Sequence, residues 1–69
     1  MIVYDRLWKT MEQKRINTYV LREKYGIDSQ TIRRLKNNQN VTMRTLDKLC
    51  DILQCSLEDI VEYRSNDEQ

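Results

Sequence analysis

Histidine and proline are absent from this 69-residue sequence, which also contains only one glycine, Gly26. Without helix-breaking residues, the composition favours helices joined by short turns. Without histidine, the two cysteines, Cys50 and Cys55, lack partners for a zinc site of the usual kind. We therefore interpret the cysteines as small buried hydrophobic residues in a reducing cytosol.

Signals for catalysis and for membranes are missing as well. The sequence has no glycine-rich phosphate loop, no recognisable pair of catalytic carboxylates and no cysteine beside a base, so an enzyme is the weakest interpretation. No apolar run approaches the roughly 18 residues of a membrane span. No secretory signal is visible at Met1, and we expect a cytoplasmic protein with no membrane partner and no cofactor. The length is sufficient for one small domain.

Charge is distributed unevenly along the chain, although the net charge is only +1. Seven basic and two acidic residues lie between Lys14 and Lys36, whereas two basic and seven acidic residues lie between Asp47 and Gln69. Two solvated faces of opposite sign would explain this pattern. A basic face that meets DNA would explain it too, and the basic half coincides with the motif described next.

Two short helices on either side of Gly26 organise the chain. Residues 18–25 and 29–37 have helical patterns, and glycine can adopt the positive φ that ends the first of them. Apolar residues occur on the faces that would meet if the helices crossed steeply: Leu21, Tyr25, Ile27, Ile32 and Leu35. This pattern is typical of a helix-turn-helix.

A repeated local pattern predicts where helices begin. An apolar residue precedes a capping residue, and another apolar residue follows four positions after the cap. The capping residues are Asn17, Asp28, Thr42 and Ser56. Together with an apolar stripe near the N-terminus, they predict five helices, at about 3–15, 18–25, 29–37, 43–53 and 57–63. Residues 1–63 would form the single domain, and 64–69 a frayed tail.

The run from Asn17 to Ile60 resembles the Cro/C1-type helix-turn-helix domains, the Xre family of bacterial and phage regulators. Leu21, Gly26, Ile27, Ile32 and Leu35 match the core motif, and residues 45–60 match the later helices. The resemblance implies an all-α, five-helix, lambda-repressor-like fold. The sequence departs from the family pattern at three positions, which are Arg22, Lys36 and Asn38.

Residues that could contact DNA follow from the third helix. Ile32 and Leu35 define its buried side, so Gln30, Arg33, Arg34 and Asn37 lie on the opposite side, and Ser29 lies on the flank. By resemblance, Ser29, Gln30 and Arg34 match base-contacting positions. Asn17 and Thr18 match positions that grip phosphate, and Asn17 can also act as a cap. Arg33, Lys36 and Asn37 would contact the DNA backbone.

The leading interpretation is a transcriptional regulator that binds operator DNA as a homodimer. Whether it represses or activates transcription stays open. The alternative is a protein-interaction module, antitoxin-like or anti-repressor in type, that docks through its acidic C-terminal half. Leu57, Val61 and Tyr63 are the predicted dimer surface, because these apolar residues are left over once the core is filled.

Overall fold

A computed structural model describes residues 1–65 as a mostly helical fold closed by a small sheet. The elements, in order, are β1 (Ile2–Val3), α1 (Asp5–Gln13), α2 (Thr18–Glu23), α3 (Ser29–Lys36), α4 (Met43–Leu53), a 3₁₀ helix (Leu57–Asp59) and β2 (Glu62–Tyr63). The helical helix-turn-helix architecture is confirmed. The predicted count of five helices is wrong, because residues 57–63 form one 3₁₀ turn and then a strand.

The two strands pair the ends of the domain. β1 and β2 are antiparallel, with Ile2 opposite Tyr63 and Val3 opposite Glu62. This pairing needs extended backbone at both ends, so α1 begins at Asp5 rather than at residue 3, and the last segment leaves the helical conformation after Ile60. The helices are therefore held by a strand pair that the sequence analysis did not predict.

The core is drawn from every helix. Its main members are Tyr4, Leu7, Met11, Leu21, Ile27, Ile32, Leu35, Leu46, Leu49, Leu53 and Ile60. The apolar faces predicted for α2, α3 and α4 are confirmed, except that Tyr25 and Cys50 are only half-buried. Cys55 is half-buried as well, so the interpretation of the two cysteines as buried residues is wrong.

Helix starts follow the predicted capping residues. The side-chain oxygens of Asn17, Asp28 and Thr42 accept backbone N–H bonds three residues ahead, at 2.9, 2.7 and 3.2 Å respectively. Before the 3₁₀ helix, the Ser56 N–H donates to Asp59 Oδ2 at 3.0 Å, the return bond of a capping box. Each bond satisfies a backbone donor that the helix itself would leave free.

Left-handed residues terminate the helices, and only one of them is glycine. They are Arg15 (φ 58°), Gly26 (φ 73°), Asn38 (φ 54°) and Gln54 (φ 52°). The residue that follows Arg15, Asn38 or Gln54 donates its backbone N–H to a carbonyl five residues earlier, near the end of the helix, as in a Schellman motif. After Gly26, the Ile27 N–H donates to the Leu21 carbonyl at 3.0 Å.

Tyr4 joins the start of α1 to the loop that follows α3. Its N–H donates to Asn38 Oδ1 at 3.0 Å, and its hydroxyl donates to the Gln39 carbonyl at 2.9 Å. On the opposite side of α1, the hydroxyl of buried Thr10 donates to the Asp59 carbonyl at 2.7 Å. α1 is thus bonded both to the loop after α3 and to the 3₁₀ helix.

The chain is still ordered at Arg64, where the sequence analysis predicted the start of a frayed tail. The Arg64 N–H donates to the Met1 carbonyl at 2.8 Å, and its guanidinium pairs with Asp5 at 2.9 Å. The frayed tail over 64–69 stays a prediction, because 66–69 lie outside the described residues. Within residues 1–65, no helix is both long enough and apolar enough to cross a membrane.

Candidate nucleic-acid interface

Packing of α2 against α3 decides which side of α3 meets solvent. Leu21, Ile27, Ile32 and Leu35 are all buried, and Gly26 makes the turn between the two helices. Because Ile32 and Leu35 are buried in the core, the opposite side of α3 is exposed and free to meet a partner. That free side is the candidate interface.

All of the predicted α3 residues are exposed on or beside this face. Ser29 and Gln30 occupy its first turn, Arg33, Arg34 and Lys36 occupy its second half, and Asn37 follows directly as the C-cap. Gln30 and Arg34 are four positions apart, which places them one turn apart on the same side. The arrangement brings a neutral hydrogen-bonding side chain next to a cationic one, without an acidic residue in α3 itself.

The cations of α3 are not neutralised by ion pairs. Among residues 1–65, the ion pairs are made by Arg6, Arg22 and Arg64, and none uses Arg33, Arg34 or Lys36. Positive charge on this face is therefore available to an anionic partner.

Asp28 is the acidic residue at the beginning of α3. Hydrogen bonds from the backbone N–H and the hydroxyl of Thr31 lower the pKa of its carboxyl group, and the positive charge of Arg34 acts in the same direction. Asp28 thus serves as a charged cap that starts the helix at Ser29.

The start of α2 contains the two other predicted contact residues. Asn17 is exposed, but its side-chain oxygen already accepts the Val20 N–H, so its capping role is confirmed and its phosphate contact stays a prediction. Thr18, the first residue of α2, is half-buried. Arg22 is exposed, pairs with Glu23 and lies 5.9 Å from the centre of the Tyr19 ring, so it does not disturb the packing of α2.

Sequence analysis missed two cations in α4. Arg44 and Lys48 line a shallow depression together with Gly26, Asp28 and Thr31, so α4 brings positive charge to the turn of the helix-turn-helix. Both are exposed and lie one turn apart. The spacing of Arg44 and Lys48 is visible in the sequence. Lys48, however, belongs to the stretch from Asp47 to Gln69, and the overall negative charge of that stretch hides its single contribution to a basic surface.

A family model for the Cro/C1-type helix-turn-helix DNA-binding domain matches residues 6–66. The chain belongs to this family. It is also similar in structure to the transcriptional regulator VanUg, with a TM-score of 0.81 and 33% sequence identity over 88% of this chain and 81% of that one. No curated protein matches the chain significantly.

Family membership connects the exposed face of α3 with DNA binding. A Cro/C1-type domain binds DNA through its helix-turn-helix, and here α3 is the second helix of that motif. The departures from the family pattern are accommodated within this Cro/C1-type domain. Asn38 takes the left-handed conformation, and Lys36 and Arg22 point to solvent.

Proposed function

We propose that this domain is a sequence-specific transcriptional regulator that inserts α3 into the major groove of operator DNA. The observation that carries the proposal is the exposed face of α3, which combines Gln30 and Arg34 and whose cations form no ion pairs with any residue in the described range 1–65. A major groove admits one α-helix, and the donors and acceptors of its bases are distinct for each pair. The face has the size and chemistry that such reading requires.

Base reading is assigned to the first two turns of α3. Gln30 can make paired hydrogen bonds to adenine, and Arg34 can do so to guanine. Ser29 can donate to or accept from either kind of base. Because these side chains lie towards the beginning of the helix, α3 would enter the groove by its N-terminal end.

Backbone contacts are assigned to residues around this reading set. They anchor the domain without distinguishing sequences, because every phosphate presents the same oxygens. These residues are Asn17, Thr18, Arg33, Lys36 and Asn37.

We further propose binding as a homodimer on a two-fold operator. One such helix reads only a few base pairs, and two of them must lie about 34 Å apart to enter successive major grooves. Leu57 is 42% exposed and Tyr63 is 69% exposed, in the 3₁₀ helix and in β2. Together with Val61, which is half-buried against the core, they form the proposed dimer surface, and this surface includes an edge strand instead of a fifth helix.

The acidic half gives less support to a protein-docking function. Glu62 lies 3.6 Å from both Arg6 and Arg64, and Asp5 pairs with Arg64. The charge of this surface is therefore partly balanced within the domain. Arg6→Ala would remove one of the cations that pair with Glu62. If a basic partner protein bound this surface, the variant would therefore bind it more tightly.

Binding curves on two DNAs test the assignment. The upstream region of the protein's own gene supplies candidate operators, and a scrambled duplex of equal length supplies the reference. Gln30→Ala and Arg34→Ala should each remove roughly 1–3 kcal/mol of discrimination at one or two positions. Equal weakening on both DNAs would show that α3 does not read sequence.

Lys36→Gln and Lys14→Gln form a matched pair, since each removes one positive charge from an exposed lysine. Lys36→Gln should weaken binding on both DNAs and reduce the salt dependence of log K by about one ion. Lys14 lines a depression at the end of α4 that contains none of the assigned contact residues, and its loss should have a smaller effect. If both variants behaved alike, only net charge would drive binding.

Sedimentation of the protein–DNA complex, with wild-type and Tyr63→Arg chains, tests the proposed dimer.

A further inference from the structure

The two cysteines come together where α4 ends. Cys50 lies in the last turn of α4, and Cys55 lies just beyond Gln54, whose left-handed backbone reverses the chain. The Cys55 N–H then donates to the Cys50 carbonyl at 3.1 Å. In this kind of helix ending, the two residues that share the closing hydrogen bond usually have side chains in contact.

Both thiols open onto one depression in the surface. Cys50 and Cys55 line it together with Thr10 of α1 and Lys14 just after α1, and with Ser56 and Asp59 from the segment after α4. Both thiols are free and half-buried. The depression is open to solvent-borne ions, and its position on the C-terminal half of α4 separates it from the exposed face of α3.

The chemistry of this pair suits a soft ion better than a nucleophile. Burial raises the pKa of both thiols, so neither is a thiolate at neutral pH in the absence of a metal. Cys50 and Cys55 line the same depression, and each thiol affects the pKa of the other, so the two sulfur atoms are neighbours. Thiolate sulfur selects soft ions, of which Cu(I) is the common biological example.

Other metals fit the depression less well. Among the described residues, no three side chains of the usual metal-binding types come together, whereas structural zinc takes four ligands. A monovalent soft ion on two thiolates would have a net charge of −1. The Lys14 ammonium group and the Asp59 carboxylate both line the same depression, so Lys14 offsets one negative charge there and Asp59 adds one.

We propose that Cys50 and Cys55 form a two-thiolate site for a monovalent soft metal ion, Cu(I) or its spectroscopic substitute Ag(I). Binding replaces two S–H bonds with two S–metal bonds and releases two protons for each ion, with no change in oxidation state. The bound ion would link the last turn of α4 to the segment that leads into the 3₁₀ helix.

Anaerobic titration of the full chain with Cu(I) tests the proposal, with a chromogenic Cu(I) chelator as competitor. We expect one ion per chain, two protons released per ion, and a sulfur-to-metal absorption band in the ultraviolet. Cys50→Ser and Cys55→Ser should each weaken binding at least tenfold and remove one of the two released protons. Lys14→Gln keeps both thiols and should retain the one-to-one stoichiometry.

Two results would overturn the site. One ion for every two chains would mean that single thiolates from separate molecules share the metal. Unchanged affinity in either serine variant would mean that the pair does not act together. Circular dichroism of each variant checks that it folds, and Cys50→Ala with Cys55→Ala replaces any serine variant that does not. Ag(I) serves as the oxidation-resistant repeat of every titration.

Discussion

Replacing Arg15 with glycine is expected to stabilise the domain, although glycine usually weakens helical proteins. Arg15 ends α1 at φ 58°, a conformation that costs a residue with a Cβ roughly 1–2 kcal/mol and costs glycine almost nothing. Since glycine also makes the unfolded chain more flexible, which costs about 0.4–1 kcal/mol, the net gain is about 0.5–1 kcal/mol. In a domain of this size, that gain raises Tm by about 2–8 °C. Arg15→Ala is the matched control, because it removes the same charge and keeps the Cβ.

Asn38→Gly should change stability in the opposite direction, although Asn38 has a similar φ of 54°. Asn38 Oδ1 accepts the N–H of Tyr4, and Tyr4 is only 1% exposed. Leaving that donor without a partner costs about 1–3 kcal/mol, which exceeds the gain from glycine. Thermal melts of both variants check the pair. A rise in Tm for Asn38→Gly, equal to that for Arg15→Gly, would show that the bond to Tyr4 contributes nothing and refute the reasoning.

Four further predictions concern single side chains. Gly26→Ala should cost about 1 kcal/mol in urea unfolding, because a Cβ there meets no atom within 4 Å and only the φ of 73° opposes it; a loss above about 3 kcal/mol would point to a clash. Thr10→Val should cost about 1–3 kcal/mol by leaving the Asp59 carbonyl unpaired, and unchanged unfolding would contradict this. Burial raises the pKa of Tyr4 above 10.0, so native stability should fall as the pH rises past 10.0, and Tyr4→Phe should flatten that slope in alkaline melts. The pKa of Asp28 lies below 3.8, so its contribution is lost as the pH falls below 3.8, and Asp28→Asn should lose less stability there if the cap explanation is correct.

The starts of α2, α3 and α4 could be predicted because each is encoded locally. Asn17, Asp28 and Thr42 are capping residues, each followed by an apolar residue four positions later, and the helices begin directly after them. α1 lacks this signal, because its N-cap is Tyr4, which makes no side-chain cap bond. Its start was therefore placed too early.

The terminal sheet could not be predicted, for a different reason. Each strand has two residues, too few for any alternation of polar and apolar side chains to be visible. Their partners are also at opposite ends of the sequence. The capping pattern at Ser56 was genuine, but it indicates only that a helical turn begins, and pairing with β1 stops the helix after one turn.

The candidate interface was predictable to the extent that one helix determines it. The buried side of α3 follows from Ile32 and Leu35, and so does the exposure of Gln30 and Arg34. The positions of Arg44 and Lys48 depend on how α4 packs against the turn at Gly26. Such a juxtaposition arises only from the tertiary fold.

The pairing of β1 with β2 gives the domain a short mechanical route from its last strand to α3. β2 is bonded to β1, β1 leads directly into Tyr4, and Tyr4 holds Asn38 and Gln39 just beyond the end of α3. A load applied at β2 would therefore reach the loop after α3 through one strand pair, the core residue Tyr4 and its two hydrogen bonds. We therefore expect the last strand and the loop after α3 to move together.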